Sequence, residues 1–411
     1  MPLSPGTAGV VTVLGAALAV LTGTAAAVAQ AAPTPSNWSQ TNSDSAQSRA
    51  NRSEHVLTRS AVSRVQYRRS VVAPVDLPRQ QVCTSVSIVT PVLTGGRMYA
   101  VANGRLTAYN PGTGAVIWQR RLSAGADTTS LNAEALAVAG GLVVVGEDSC
   151  DSVSDPNGFV QAFHAATGAP AWSDPITPQG GALVQMVVSG TFVAAAGASD
   201  GSGQVVAVRK LATGALAWDH LTNACASGSV LVIDHLVVSN RCGQNPDGTL
   251  SANHLATGAR AWSRPGGWQI QRGNLGGTTG GHLYATDPAG VVVDLNPATG
   301  TTQYALTGAT TVLAVDGSQA YADCGSLGVC AYAAATGGRK WNVQPGTPTP
   351  LLAAEADGVL YLDQGPALNT STGQTITTLW NGAATALAVG NGRIAAVTDP
   401  RVLDLYGLPG S

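Results

Sequence analysis

A short motif recurs along the chain at intervals that suit one structural unit per copy. Its clearest copies run from Ala108 to Trp118, Ala162 to Trp172, Ala252 to Trp262 and Ala331 to Trp341. Each copy contains a Thr-Gly pair, and the glycines of seven copies stand at positions 114, 168, 214, 258, 300, 337 and 373. Successive glycines are 36 to 54 residues apart, the period of a four-stranded propeller blade.

The residue types within the motif explain why it repeats. The run before Thr-Gly alternates in polarity as a strand does, and glycine supplies the positive φ of a tight turn. The following run ends on Trp in most copies. An indole can wedge between neighbouring sheets while its N–H finds a carbonyl.

Hairpin turns give a second count of the blades. A two-residue turn precedes each of the seven motifs, and an eighth turn follows the last of them. The turns are Gly95-Gly96, Gly140-Gly141, Ser189-Gly190, Asp234-His235, Gly280-Gly281, Asp316-Gly317, Asp357-Gly358 and Asn391-Gly392. Eight turns against seven Thr-Gly pairs mean that the last blade lacks its outermost strand. The segment 65–71 resembles 116–122, with Tyr67 in the place of Trp118, and would complete that blade and close the ring. The alternative is that 65–71 belongs to a linker.

Composition agrees with an all-β chain. The 411 residues include 50 glycines but only 5% aromatics, which suits many short strands and tight turns. Charged residues are 11% and the net charge is −2, which argues against a nucleic-acid partner. We therefore expect an eight-bladed β-propeller of four-stranded antiparallel blades, acting as a monomer.

The first 62 residues differ in composition from the repeats. Residues 1–31 hold an apolar run with small residues at its end, typical of a signal peptide, although no Lys or Arg precedes it. An uncleaved membrane anchor is the alternative. Residues 32–62 are polar and predict a flexible linker, and residues 63–411 form the propeller. The expected location is extracytoplasmic, secreted or at the cell surface.

Six cysteines fit an oxidising compartment. Cys225 and Cys242 flank one hairpin turn, and Cys324 and Cys330 bracket one short loop. Cys83 and Cys150 remain as a third pair in loops of neighbouring blades. No spacing among them suggests zinc.

Acidic residues cluster in the loops opposite the Gly-rich turns, where they would share one face of the disc. They are Glu147, Asp148, Asp151, Asp155, Asp200, Asp247, Asp287, Asp323, Asp363 and Asp399. Such a ring could attract a cation or a basic peptide. The alternative is that Asp serves here as an ordinary turn residue.

The pattern Ala-x-Asn-x-x-Thr-Gly-x-x-x-Trp resembles the repeat of the PQQ-like propellers over residues 65–411. That superfamily includes quinoprotein alcohol dehydrogenases and the scaffolds of the outer-membrane assembly factor B (BamB-like) type, which are nearest in length. The resemblance implies an exported scaffold. The dehydrogenases carry a disulfide between adjacent cysteines, whereas this chain has no Cys-Cys pair.

We therefore expect a non-catalytic scaffold that binds a protein, peptide or cell-envelope ligand through one loop face, with no cofactor. The alternative is a PQQ- or metal-dependent oxidoreductase with calcium and a site at the channel mouth. A membrane would be contacted only through the N-terminal segment, if it stays uncleaved.

Overall fold

A computed structural model describes residues 36–73, 88–102, 104–122, 131–149, 158–176, 182–198, 204–222, 229–241, 248–274, 281–345, 350 and 352–410. The chain divides into two units, Met1–Thr34 and Pro35–Ser411, and every described residue belongs to the second. No helix among these residues has the length and apolar composition needed to cross a bilayer.

Thirty-three strands and two 3-10 helices make up the described part of the chain. The first elements are β1 (Ala50–Asn51), a 3-10 helix (Val62–Arg64) and β2 (Gln66–Val72). Blade 1 contains β3 (Val92–Thr94), β4 (Arg97–Ala102), β5 (Arg105–Tyr109) and β6 (Val116–Arg121). Blade 2 contains β7 (Leu131–Ala139), β8 (Leu142–Ser149), β9 (Phe159–His164) and β10 (Pro170–Pro175).

The middle blades follow the same plan. Blade 3 contains β11 (Ala182–Ser189), β12 (Phe192–Ala198), β13 (Gln204–Lys210) and β14 (Leu216–Thr222). Blade 4 contains β15 (Val230–Ile233), β16 (Leu236–Arg241), β17 (Thr249–His254) and β18 (Arg260–Pro265). Blade 5 contains β19 (Gln269–Asn274), β20 (His282–Thr286), β21 (Val292–Leu295) and β22 (Thr302–Ala305).

Three blades complete the ring. Blade 6 contains β23 (Thr311–Val315), β24 (Gln319–Asp323), the second 3-10 helix (Gly325–Leu327), β25 (Val329–Ala333) and β26 (Arg339–Val343). Blade 7 contains β27 (Ala353–Ala356), β28 (Val359–Leu362), β29 (Pro366–Asn369) and β30 (Thr375–Thr378). Blade 8 contains β31 (Ala386–Gly390), β32 (Arg393–Asp399), β33 (Val402–Gly407) and the early strand β2.

The strand order confirms the eight-bladed, all-β prediction. Each blade is an antiparallel sheet whose strands follow chain order from the channel outward, and β2 is the outermost strand of blade 8. The ring is therefore closed by an N-terminal strand hydrogen-bonded to β33, as the count of turns and motifs predicted.

The register of the closing strand differs from the prediction by two residues. Tyr67 pairs with Tyr406, a bulge follows, and Arg69 pairs with Leu405. In blade 1 the equivalent bulge precedes Trp118, so Arg69 occupies the place of the Trp. Tyr67 is instead 55% exposed, and the prediction that it replaces the Trp is wrong because the repeat alignment ignored the bulge.

Tryptophan joins five of the blades to the next one, and Tyr304 takes its place in blade 5. The Trp118 indole donates to the Ala165 carbonyl at 3.0 Å, and a Cβ on Gly168 would lie 2.6 Å from the same ring. The same bond recurs from Trp172 to Leu211, Trp218 to Leu255, Trp262 to Pro297 and Trp341 to Thr370. The glycine of the motif is therefore required twice, for its positive φ of 69° and for close contact with the indole.

The channel holds part of the chain itself. Residues 36–57, named here the channel segment, run past the innermost strand of every blade. Hydrogen bonds join the segment to Leu93 in blade 1, Leu136 and Val138 in blade 2, Val188 in blade 3, Val230 and Val232 in blade 4, Gly273 in blade 5, Val315 in blade 6, Glu355 in blade 7, and Val389 and Asn391 in blade 8. Within it, β1 pairs in parallel with β27.

Residues 32–62 were predicted to form a flexible linker, and this arrangement overturns that prediction for the described part, residues 36–62. Innermost strands present backbone N–H and C=O groups to the channel, and buried backbone groups need partners. The serines, glutamines and asparagines of the segment supply those partners, as Gln40 does by bonding both the N–H and the C=O of Val188. A segment poor in apolar residues is thus buried through hydrogen bonds, and its two large apolar residues, Trp38 and Leu57, are fully buried.

Candidate functional site

The propeller has two faces with different connections. The turn face carries the two-residue hairpin turns and the Thr-Gly turns. The loop face carries the connections between the second and third strands of each blade and those between successive blades. The ten acidic residues were predicted on the loop face, and Asp151, Asp155, Asp200 and Asp247 lie outside the described residues. Asp148 lies in β8.

Two of the predicted carboxylates are buried in the structure. Glu147 is fully buried in β8, and neither carboxylate oxygen has a hydrogen-bond partner within the described residues. Burial raises the pKa of Glu147 well above its ordinary value. Asp363 is only 4% exposed. Their inclusion in an exposed acidic face is wrong, because β8 extends further than the sequence suggested and the turn after β28 folds inward under Trp380, whose indole bonds the Asp363 carbonyl.

Three others lie on the loop face and hold their own turns. Asp287 Oδ1 accepts the N–H groups of Ala289 and Val291, both at 2.9 Å. Asp323 accepts the Gly325 N–H, and Asp399 accepts the Arg401 N–H. These three carboxylates therefore have the role of turn residues that was the alternative interpretation, while keeping negative charge on this face.

A groove lies beside Asp287 on the loop face of blade 5. Its volume is about 340 Å³, and it is lined by Gly267, Gln269, Thr286, Asp287, Pro288, Ala289 and Gly290. Small side chains form most of its wall, so a bound chain can approach the backbone closely. The Arg264 guanidinium packs 3.8 Å from the centre of the Trp268 ring next to it, which fixes the connection between blades 4 and 5.

Exposed apolar side chains accompany the acidic turns. Val291, at the end of the Asp287 turn, is 39% exposed, and so is Leu327, in the loop that follows Asp323. We name Asp287, Val291, Asp323, Leu327 and the groove together the loop-face site. An apolar contact beside a carboxylate can hold a segment that carries apolar and basic side chains.

A disulfide fixes the blade 6 part of this site. Cys324 and Cys330 are bonded, with their Cα atoms 6.1 Å apart, as predicted. The bond closes the short loop that presents Leu327. Cys83, Cys150, Cys225 and Cys242 lie outside the described residues, so their pairings remain predictions.

The channel contains two partly buried cations that sequence reasoning missed, Arg49 and Arg272. Arg49 Nε donates to Asn42 Oδ1 at 2.7 Å. Arg272 donates to the carbonyls of Gln47 and Val312 at 3.1 and 2.9 Å. Burial lowers the pKa of Arg272 to about 10, opposed by the charge of Asp44. The one hint in the sequence that residues 36–57 are buried was Trp38, a large aromatic residue within a polar stretch.

These bonds bear on whether the channel could hold an anionic quinone. Arg49 is bonded to the channel segment, and Arg272 is bonded to this segment and to the Val312 carbonyl of blade 6, so these bonds are not directed to an open quinone site. Among the described residues, no group of three or more His, Cys, Asp or Glu is placed to hold a metal ion.

Comparison with known proteins identifies relatives of the whole propeller. The profile of the family described as outer membrane protein assembly factor BamB matches residues 4–264, 156–301 and 246–403. No curated protein matches the chain at a significant level.

Solved structures share the fold at low identity. BamB from Moraxella catarrhalis is 18% identical with a TM-score of 0.57, covering 84% of this chain and 98% of its own. The quinohemoprotein alcohol dehydrogenase ADHIIG from Pseudomonas putida HK5 is 13% identical with a TM-score of 0.67, covering 92% and 81%. A europium-containing methanol dehydrogenase is 13% identical with a TM-score of 0.65, covering 91% and 98%. At this identity the likeness shows the fold alone.

Proposed function

The chain belongs to the PQQ-like propeller family described as outer membrane protein assembly factor BamB, and from this premise we propose that it is a non-catalytic scaffold that binds a protein segment through its loop face. The family description names an assembly factor, and rigid loops on a propeller suit recognition. The partner is an extended segment with apolar and basic side chains.

One observation carries this proposal. On adjacent blades, exposed Val291 and Leu327 follow the acidic turns of Asp287 and Asp323, and the Asp287 turn lines a groove of about 340 Å³. The hydrogen bonds within both turns and the Cys324–Cys330 disulfide hold these groups in place before a partner arrives. A preorganised site loses less conformational entropy on binding.

The expected location is outside the cytoplasm. The family description refers to the outer membrane, and the Cys324–Cys330 disulfide suits an oxidising compartment. The apolar run within residues 1–31 supports export, either as a cleaved signal peptide or as an anchor.

The second candidate is an oxidoreductase, favoured by the two dehydrogenase neighbours. Its test is thermal unfolding of the purified protein with PQQ and calcium together. A specific ligand of the folded state must raise the Tm by mass action, so a rise that needs both additives would favour the enzyme. We expect no such rise.

The scaffold proposal is tested by affinity capture with matched variants. Immobilised wild-type protein and a Leu327→Ser, Asp323→Asn double variant are each incubated with envelope extract from cells that naturally produce the protein. The control is Leu216→Ser, which removes a leucine that is 40% exposed on the outermost strand of blade 3.

The expected result is a partner retained by the wild type and the control but lost from the double variant. A partner retained equally by all three proteins would show that the loop-face site is not its binding surface. Retention of the partner should also weaken with salt, because part of the attraction is between charges.

A further inference from the structure

A second cavity lies far from the loop-face site, between blades 3 and 4. Its volume is about 400 Å³, within the range of small-molecule sites. Blade 3 contributes Gln204, Val206 and His220, and blade 4 contributes Ser251, Asn253 and Arg260. We propose that this cavity binds a small hydroxylated carboxylate, about the size of a sugar acid.

The cavity exists because blade 4 departs from the repeat. The position of Asn253 packs against the preceding blade, and larger side chains fill it in other blades: Phe163 in blade 2, Arg209 in blade 3, Leu295 in blade 5, Tyr332 in blade 6 and Leu368 in blade 7. The smaller asparagine leaves space at this seam.

Asn253 also points to a ligand through its hydrogen bonding. It is 3% exposed, and its Oδ1 has no hydrogen-bond partner among the described residues. A buried acceptor without a partner costs free energy, so a polar site of this kind is expected to receive a donor. A ligand hydroxyl in the cavity would supply it.

The rest of the wall favours an acidic group on the same ligand. Arg260 pairs with Asn253 across the sheet, so both side chains face blade 3. Its guanidinium is suited to a carboxylate. Asp219 also lines the cavity, and its partner across the sheet is Ala207. Its charge acts on Arg209 of the same blade, so Arg260 is the cation left to meet a ligand carboxylate.

An aromatic surface borders the cavity. The His220 ring faces blade 4 together with Val206, its partner across the sheet. It packs against Trp218, with ring centroids 5.0 Å apart. The ring can therefore cover the apolar side of a bound ligand while the hydroxyls and amides of the wall bind its polar groups.

The test is isothermal titration of the full chain with D-glucuronate, with D-glucose as the neutral comparison. Three variants accompany the wild type. Arg260→Gln removes the cation without changing the volume greatly, and Asn253→Phe fills the cavity with the residue of blade 2. Lys210→Gln removes a charge from an exposed site on blade 3 and serves as the control.

Saturable binding of glucuronate is expected for the wild type and Lys210→Gln, weaker by about tenfold in Arg260→Gln and absent in Asn253→Phe. Glucose should bind more weakly than glucuronate. If Asn253→Phe misfolds by circular dichroism, Arg260→Gln decides the result. No saturable binding to the wild type, or equal binding to Arg260→Gln, would overturn the proposal.

Discussion

The Ser36 hydroxyl donates to Glu54 Oε2 at 2.5 Å, so the two ends of the channel segment meet. Both residues also bind the hairpin turn of blade 8. Asn391 N–H donates to Ser36, and Gly392 N–H donates to Glu54 at 3.1 Å. The channel segment thus runs once around the channel, and both of its ends lie next to blade 8, which β2 completes.

Glu54 should therefore be a stability determinant of the whole ring. Its carboxylate also accepts the N–H groups of Val56 and Leu57, so Glu54→Ala leaves several buried donors unpaired. We expect a loss of about 2–4 kcal/mol in the free energy of unfolding, measured by urea denaturation. His55→Ala changes an exposed neighbour and should have little effect. Equal losses in the two variants would contradict this account of the segment.

The contact between Gly168 and Trp118 predicts a cost beyond backbone strain. In Gly168→Ala the new Cβ meets the indole, whereas Gly96→Ala has a similar φ of 71° with nothing within 4 Å. The control should lose about 1–2 kcal/mol from its left-handed conformation. Gly168→Ala should lose clearly more, and thermal unfolding of both proteins measures the difference. A control as unstable as Gly168→Ala would show that the indole contact adds nothing.

The closing strand predicts opposite outcomes for two aromatic residues that look equivalent in the sequence. Trp118 is 8% exposed and bonded to blade 2, so Trp118→Ala should cost about 3–5 kcal/mol. Tyr67 is 55% exposed, with its ring edge-on to Tyr406, so Tyr67→Ala should cost less than about 1 kcal/mol. Chemical denaturation compares them directly. A large effect of Tyr67→Ala would instead support the register expected from the sequence.

Glu355 should make stability depend on pH near neutrality. Burial, with added repulsion from Asp316 and Asp357, raises the pKa of Glu355 to about 8 from 4.5. The folded state therefore holds a proton that the unfolded state has lost. The contribution of the protonated Glu355 to the free energy of unfolding is complete below pH 4.5 and is lost progressively as the pH rises to about 8.

Glu355→Gln keeps the shape and removes the titration. We expect this variant to show a flatter pH dependence of the unfolding free energy and higher stability than the wild type at pH 8. The unfolding free energy of the variant should still fall somewhat as the pH rises, because the pKa of Glu147 is raised in the same direction. Identical pH profiles for the variant and the wild type would contradict the assignment.

The blade architecture was predictable from local chemistry. Asp357-Gly358 and Asn391-Gly392 take up positive φ at both residues, as hairpin turns with these residues require. In the first six blades, each Thr-Gly turn is followed by a strand that carries the interblade aromatic residue. Both features are read from a few neighbouring residues, so the count of eight blades needed no tertiary information.

The channel segment was not predictable in the same way. Its burial depends on bonds between polar side chains and backbone groups of strands up to 338 residues away, as between Asn51 and Val389. Backbone acceptors leave no trace in the sequence of their strands. The loop-face site was partly predictable: the acidic turns of Asp287 and Asp323 were found, while Glu147 was misplaced because the length of β8 depends on pairing with β7 and β9.

Photo-crosslinking in cells that naturally produce the protein tests the proposed function most directly. A photoreactive phenylalanine analogue is placed at Leu327 on the loop face or at Leu216 on the outermost strand of blade 3, both exposed. The account predicts a discrete protein adduct from position 327 that is lost when Asp323→Asn is added, with no such adduct from position 216. An adduct from position 216 alone, or none from position 327, would contradict the loop face as the binding surface.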